Sequence, residues 1–541
     1  MSRTRVLLYD TTLRDGTQSE DVSLSLDDKL VIAEKLDGLG IDRIEGGWPG
    51  SNPKDLAFFQ QVRRRNLKFA KVAAFGMTRR AGVSASRDLN LKALLTAQTE
   101  CVTIVGKTWD FHVREALRVS LDENLRMVED SIAFLKKRVP EVMYDAEHFF
   151  DGYRENPEYA LKTLAAAAAG GADWLVLCDT NGGTLPTDLG RILDEVLPRL
   201  TVPVGIHCHN DAECAVANSV LAVEKGARQV QGTINGIGER CGNANLCSII
   251  PNLKLKRGFD CVSDEQLATL KEVSRFVAEL ANMTPDKHQP YVGESAFAHK
   301  GGMHVSAIRR HSKTYEHVEP GRIGNRQRVL VSDLSGQSNV LSKAEEFGLD
   351  LSDRKPEVKQ IVDRLKELEH QGYQFEGADA SLELLMDQAL NGQKHWFELR
   401  DFRVIDEKRN GDGEPYSEAT VRIAVGNVEE HTVAEGRGPV HALDEALRKA
   451  LRRFYPEELE NVRLIDYKVR VLKGGATSVP VRVLIESGDG ENAWETVGVS
   501  GNIIDASCQA LVDSLAYKLY VDAKRSAELK GKGRRRAAQR T

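Results

Sequence analysis

His207-Cys208-His209 carries the strongest local chemical signal in the chain. It closes an apolar run, Val202-Pro203-Val204-Gly205-Ile206, that reads as a strand. Side chains alternate along a strand, so the two imidazoles share one face and Cys208 takes the other. Two such nitrogens form two legs of a metal site, although exposed histidine pairs are also common. A carboxylate to complete the set stands near the start of the chain, where Val6-Leu7-Leu8-Tyr9 breaks into Asp10-Thr11-Thr12-Leu13-Arg14-Asp15-Gly16. Asp15 can ligate a cation, Arg14 can clamp an oxyanion, and Gly16 lets the backbone turn. A solvated charged turn is the plainer reading of the same residues. The nitrogen and oxygen donors suit Mn²⁺, Zn²⁺, Co²⁺ or Fe²⁺, and Mg²⁺ where water fills the remaining positions.

Further chemistry-bearing residues fall at the ends of other apolar runs. Asn243, in the glycine-rich stretch Gly236 to Asn245, can add an amide oxygen to a metal. Glu147 closes Glu141-Val142-Met143-Tyr144-Asp145-Ala146 and can act as a base, anchor one, or pair with Arg14. In Asp179-Thr180-Asn181-Gly182-Gly183, Thr180 can offer a hydroxyl to a substrate carboxylate, or the segment can cap the next helix. His299-Lys300-Gly301-Gly302-Met303-His304 reads either as a surface loop or as one that brings a catalytic histidine over a site.

Convergence of these residues requires a particular scaffold. Eight strand-like runs alternate with helical periodicity over about 250 residues, the pattern of an α/β protein built as a (β/α)8 TIM barrel. In such a barrel every strand's C-terminal end faces one mouth. Arg14 and Asp15, Glu45, Lys107, Glu147 and His148, Asp179 and Thr180, His207 and His209, and Asn235 would then meet there. A doubly wound sheet is the rival, disfavoured by the count and by the missing early G-x-G-x-x-G. One helix is expected to start at Ser25, with Asp28 completing a capping box, and to end at Gly38 and Gly40.

The expected organisation is a catalytic barrel over residues 1–260, a helical connector over 261–392, a duplicated α+β domain over 393–522 and a basic disordered tail over 523–541. The duplication shows in Leu399-Arg400-Asp401-Phe402-Arg403-Val404 against Leu464-Ile465-Asp466-Tyr467-Lys468-Val469, and in Ala442, Ala446 and Leu447 against Ala506, Ala510 and Leu511. A pseudo-symmetric domain of this kind suits ligand binding at its seam, or serves stability alone. With 41% hydrophobic and 28% charged residues and a net charge of -6, the composition is that of a globular protein without a nucleic-acid partner. Eight irregularly spaced cysteines read as reduced thiols. Neither a signal segment nor a membrane span is evident, so a cytoplasmic location is expected.

The motifs Asp10 to Gly16, Cys178-Asp179-Thr180, His207 to Asp211, Gly236 to Asn243 and His299 to His304 together resemble the α-isopropylmalate synthase and homocitrate synthase family of metal-dependent barrel enzymes. The resemblance spans nearly the whole chain, and its duplicated last domain is similar to the family's allosteric amino-acid-binding domain. It implies an acyltransferase that joins acetyl-CoA, a 2-oxo acid and water by Claisen condensation, releasing CoA. Glu147 to Tyr153 and Gly46 to Pro53 point within the family to pyruvate as the oxo acid and to the first step of a threonine-independent isoleucine route. Other oxo acids, 2-oxoisovalerate or 2-oxoglutarate, are the alternatives, and a metal-dependent lyase or aldolase is a more distant one. By resemblance Asp15, His207, His209 and Asn243 hold a divalent ion (Mn, Mg, Zn or Co), Arg14 neutralises the developing alkoxide, and Glu147 and His304 share the proton transfers. Arg14, Asp145 and Thr180 are the expected substrate contacts. Asp145 stands where another pyruvate-using branch has a tyrosine, and Tyr144 would face the other way. The resemblance also implies a homodimer and an amino-acid effector, with isoleucine expected.

Overall fold

The computed structural model describes residues 4–332, 334–351, 353–392, 396–408, 416–472 and 479–538, with side chains described as far as residue 527. Two compact units result: residues 1–297 with 316–327, and residues 298–315 with 328–541. The expected boundary at residue 260 therefore falls inside the first unit. The reason lies in the helix Leu270–Leu280, whose Leu270, Val273 and Val277 are buried in the same apolar core as the barrel. Of the expected connector, residues 261–297 and 316–327 belong to the first unit, and 298–315 and 328–392 share the second with the duplicated domain.

The first unit is a closed barrel of eight parallel strands: β1 (Leu7–Asp10), β2 (Arg43–Gly47), β3 (Lys71–Met77), β4 (Cys101–Lys107), β5 (Glu141–Glu147), β6 (Trp174–Asp179), β7 (Val204–Cys208) and β8 (Gln229–Gly232). Pairing of Leu7 to Asp10 with Gln229 to Gly232 closes it. The strands match the sequence expectation to within a few residues, because each is an apolar run bounded by turn residues. Alternate side chains point inward. Tyr9, Ala73, Cys101 and Met143 pack as a floor against Trp174. Toward the C-terminal strand ends the interior turns polar, with Glu45, Asp145 and Gln231 all buried.

Local rules account for the helix boundaries. Ser25 Oγ accepts from Asp28 N (3.1 Å) and Asp28 Oδ2 accepts from Ser25 N (2.8 Å), which is the expected capping box. That helix (Leu26–Leu39) runs through Gly38 and stops only at Gly40, whose φ of 88° is left-handed. Within it Lys29 is buried, yet its ammonium donates to Asp55 Oδ1 (2.6 Å) and to Gly46 O (3.1 Å). Asp55 Oδ2 in turn accepts from Trp48 N (2.9 Å), so this pair pins the turn after β2.

In the second unit, Ala298–His299 (β9) pairs in parallel with Arg328–Val329 (β10). The helices Gln337–Glu346, Lys355–Gln371 and Asp379–Asn391 follow. Two three-stranded antiparallel sheets come next: β11 (Glu398–Glu407), β12 (Tyr416–Val425) and β13 (Val428–Gly436), then β14 (Arg463–Val471), β15 (Val481–Gly488) and β16 (Ala493–Ser500). Each sheet leads into a helix, Pro439–Leu451 after the first and Ile503–Ala538 after the second. The copies agree in detail. Register shifts fall between Leu399 and Asp401 and between Leu464 and Asp466. Thr432 Oγ1 donates to Ala446 O (2.9 Å) as Thr496 Oγ1 donates to Ala510 O (2.8 Å). The basic stretch expected as a disordered tail continues the last helix in its backbone to Ala538, in keeping with its content of alanine, lysine and arginine. Lys530, Lys532, Arg534, Arg535 and Arg536 lie outside the side chains described. All eight cysteines are free thiols. Among the described residues no helix is long and apolar enough to cross a membrane.

Removing one partner of a buried ion pair leaves the other charge uncompensated, at about 3–5 kcal/mol. Lys29→Ala is therefore expected to lower the unfolding free energy of the barrel by that amount in urea titration, and Lys29→Ala/Asp55→Ala to recover part of it.

Candidate active site

The candidate metal cluster is assembled from three chain segments. Asp15 lies in the turn that follows β1. Asp10 shapes that turn by accepting from Thr12 N (2.8 Å) and Thr12 Oγ1 (2.9 Å), and Thr12 Oγ1 accepts from Ile234 N (2.9 Å) beyond β8. Gly16 serves here through size rather than conformation: a Cβ on it would lie 3.0 Å from Ile237 Cγ1. His207 is on β7 and His209 just past its end, with Cys208 buried on the opposite face as alternation requires. Asn243 is set beside His209 by backbone pairing, for the glycine-rich stretch folds back onto the end of β7. Ala244 N donates to Cys208 O and Asn210 N to Gly242 O, both at 2.9 Å. A Cβ on Gly238 would overlap the Asn243 amide oxygen, so glycine makes the room that Asn243 needs.

The ligand atoms of Asp15, His207 and His209 all lie within 4.8 Å of one another. Asp15 Oδ2 is 3.3 Å from His207 Nε2, which is 3.3 Å from His209 Nε2. Asn243 Nδ2 is 2.8 Å from Asp15 Oδ2 and 3.3 Å from His207 Nε2. All four residues are buried. Two observations fit a bound cation. Two imidazole nitrogens and a carboxylate oxygen face one point, an arrangement that a positive charge stabilises. The Asn243 Oδ1 atom is buried without a hydrogen-bond partner among the described residues, and oxygen and nitrogen of an amide occupy nearly the same shape.

Arg14 stands against this cluster. Its Nη1 donates to Asp15 Oδ1 (3.0 Å), its Nε pairs with Glu45, and its guanidinium lies 3.8 Å over the Phe75 ring. Glu45, fully buried, also accepts from Tyr9 Oη (2.6 Å), and Tyr9 Oη contacts Thr103 Oγ1 (2.7 Å). Burial would raise the Asp15 carboxyl, but the Arg14 charge and the His207 hydrogen bond outweigh it and hold the group well below the usual carboxylate range. Burial, reinforced by the neighbouring His207, pushes His209 down to about 4 and keeps it neutral. Asp145 moves the other way: burial and the Glu45 charge push it up to about 7.

A cavity of about 310 Å³ opens beside these groups. Among the expected site residues Arg14, Asp15, Asp145, Glu147, Thr180, His207 and His209 line it. Thr180 Oγ1 accepts from His148 N (2.9 Å), which leaves its hydroxyl proton free for a ligand. Asp179, by contrast, is committed to Thr184, accepting from its N (3.2 Å) and Oγ1 (2.8 Å), and the next helix, Pro186–Val196, begins without a side-chain cap from this segment. Glu147 pairs with Lys107 rather than with Arg14, which Asp15 and Glu45 have taken. Asn235 turns away, with its amide donating to Ser274 O (2.8 Å). His304 belongs to the second unit, where its ring stacks on Tyr315 at 4.1 Å.

Three residues of this region carried no assigned role in the sequence reading. Glu45 was noted only as a strand end, yet it clamps Arg14. Its signal was the pair Gly46-Gly47, which marks the register shift in β2. Phe75 and Gln231 have no local motif, and only barrel closure brings them in.

Residues 5–277 match the HMGL-like family model, 291–373 the homocitrate synthase post-HMGL domain-like model and 376–519 the LeuA allosteric (dimerisation) domain. An (R)-citramalate synthase of Geobacter sulfurreducens is 61% identical over 97% of this chain and 99% of its own. One of Aquifex aeolicus is 56% identical over 96% and 98%. A 2-isopropylmalate synthase of Methanocaldococcus jannaschii is 29% identical over 94% of each chain.

Loss of a ligand should register in metal binding before any chemistry is assayed. Asp15→Ala and His209→Ala are each expected to weaken Mn²⁺ binding by about 100-fold or more in chelator competition, whereas Asn235→Ala leaves it within about twofold.

From the barrel, the ligand cluster and these full-length matches together, the chain belongs to the family of the (R)-citramalate synthases.

Proposed function

We propose that the chain condenses acetyl-CoA with pyruvate and water to give (R)-citramalate and CoA, opening a threonine-independent route to isoleucine. The observation that carries this reading is the gathering of Asp15, His207 and His209 beside Arg14 in one small cavity, within a chain 61% identical to a relative of that name. A divalent ion held by Asp15, His207, His209 and Asn243 would supply Lewis-acid polarisation of the keto group. Arg14 faces the oxygen on which negative charge develops, and its clamp by Asp15, Glu45 and Phe75 spares it reorganisation during the reaction. Thr180 donates its free hydroxyl proton to the substrate carboxylate, and Asp145 borders the same space. Glu147, which pairs with Lys107, and His304 are the residues read for the two proton transfers, abstraction from the thioester α-carbon and activation of the hydrolytic water.

The duplicated domain, which matches the LeuA allosteric (dimerisation) model, is read as the seat of an amino-acid effector and of a homodimer contact. Isoleucine, the end product of the proposed route, is the effector expected.

Thiol release from acetyl-CoA across a panel of 2-oxo acids tests the reaction. Pyruvate should give a kcat/KM at least about tenfold above 2-oxoisovalerate and 2-oxoglutarate. A preference for another acid overturns the substrate, and no thiol release with any of them overturns the condensation. For regulation, isoleucine should inhibit thiol release by the full chain and raise its melting temperature, while valine at the same concentration does neither. Equal responses to both amino acids would sink the isoleucine assignment.

A further inference from the structure

Below the ligand cluster, three buried side chains form a chain of hydrogen bonds that ends on a metal ligand. His207 Nδ1 lies 2.8 Å from Gln231 Oε1, Gln231 Nε2 lies 3.1 Å from Asp145 Oδ1, and the same Nε2 lies 3.4 Å from Gln229 Oε1. Gln231 and Gln229 are fully buried on β8, on the inward face that alternation gives them.

The direction of this chain is fixed by chemistry. An amide can be turned end for end at little steric cost, so only its neighbours decide which end is oxygen. Turned the other way, the amide would set Oε1 against both Asp145 Oδ1 and Gln229 Oε1, acceptor against acceptor whenever the Asp145 carboxyl is ionised. It would also aim its NH2 at His207 Nδ1, forcing the ring proton onto Nε2, where it would point into the ligand cluster. In the orientation observed, Asp145 holds the amide nitrogen and the amide oxygen takes the Nδ1 proton, so Nε2, 3.3 Å from both Asp15 Oδ2 and His209 Nε2, is the nitrogen left to give up its proton to a cation. His209 has no such support: its Nδ1 is buried without a partner among the described residues.

We propose that Gln231 is a positioning residue for His207, and that Asp145 acts on the ion through it by setting the orientation of its amide. The proposal rests on the metal-site reading above. It gives Asp145 a task that needs no contact with substrate, and it gives Gln231, which the motifs did not single out, a place in the machinery.

The measurement is Mn²⁺ affinity of the full chain without substrates, by chelator competition. Gln231→Leu should weaken binding about 10- to 100-fold, the size typical of losing a ligand's hydrogen-bond support. Asp145→Leu should weaken it too, and the double variant should be no weaker than Gln231→Leu alone, because the two residues act in series. Full additivity of the two losses, or Gln231→Leu binding within threefold of the parent, overturns the proposal. A second readout needs no variant: ¹⁵N-histidine spectra of the Zn²⁺-loaded parent chain should report His207 bound through Nε2 with its proton on Nδ1, and binding through Nδ1 overturns the proposal even where the leucine variants do not fold. Since acetyl-CoA and oxo acids are absent, failure of the condensation assay leaves these results readable. Failure of the parent to bind Mn²⁺ overturns the metal site and this inference together.

Discussion

Three carboxylates, Asp15, Glu45 and Asp145, are enclosed near one another inside the barrel, and a single guanidinium stands among them. Like charges so placed cannot all remain ionised unless a cation is held close. Arg14 meets that requirement: the charges of Asp15 and Glu45 overcome the cost of burying it and keep it firmly protonated. The remaining strain shows in Asp145, the member least served by Arg14 and the one whose affinity for a proton rises. The site is thus an electrostatic compromise with a fixed centre: Phe75 lies against Arg14, and Tyr9, itself in contact with Thr103, holds Glu45.

Much of this was legible in the sequence, for definite reasons. Strand count and barrel closure follow from runs of apolar residues, and His207, Cys208 and His209 fall on the sides that alternation assigns. Asn243 and Asp15 were within reach because glycines mark the turns that carry them. Glu45, Phe75 and Gln231 were not legible as partners, since each contacts a residue of another strand or of the turn that follows it, and register across strands has no local code. The place of the helix Leu270–Leu280 was not legible for a related reason: it has ordinary amphipathic periodicity, and only contact with the barrel core shows which unit owns it.

The second unit records its history in geometry as well as residues. Both sheets shift register at the same repeat position, and both threonine hydroxyls reach the following helix four residues after the matching alanines. Differences between the copies are then informative. Arg448 in the first copy is buried, donating to Asp444 Oδ2 (2.8 Å) and Val462 O (2.8 Å), while the second copy has Val512 at the matching place. Duplication preserved the frame, and divergence changed what lies between the helices.

The ligand cluster also bears on how the barrel comes to exist. Asp15 and Asn243 are 228 positions apart, and His207 and His209 arrive from the seventh strand. Bringing such distant segments together is an entropic cost met only when the last strand closes on the first. An ion therefore cannot template early folding here, because no partial chain presents its ligands together. An ion bound at these residues would act as a clasp on a finished ring, slowing the reopening of the β8 to β1 seam rather than speeding its formation.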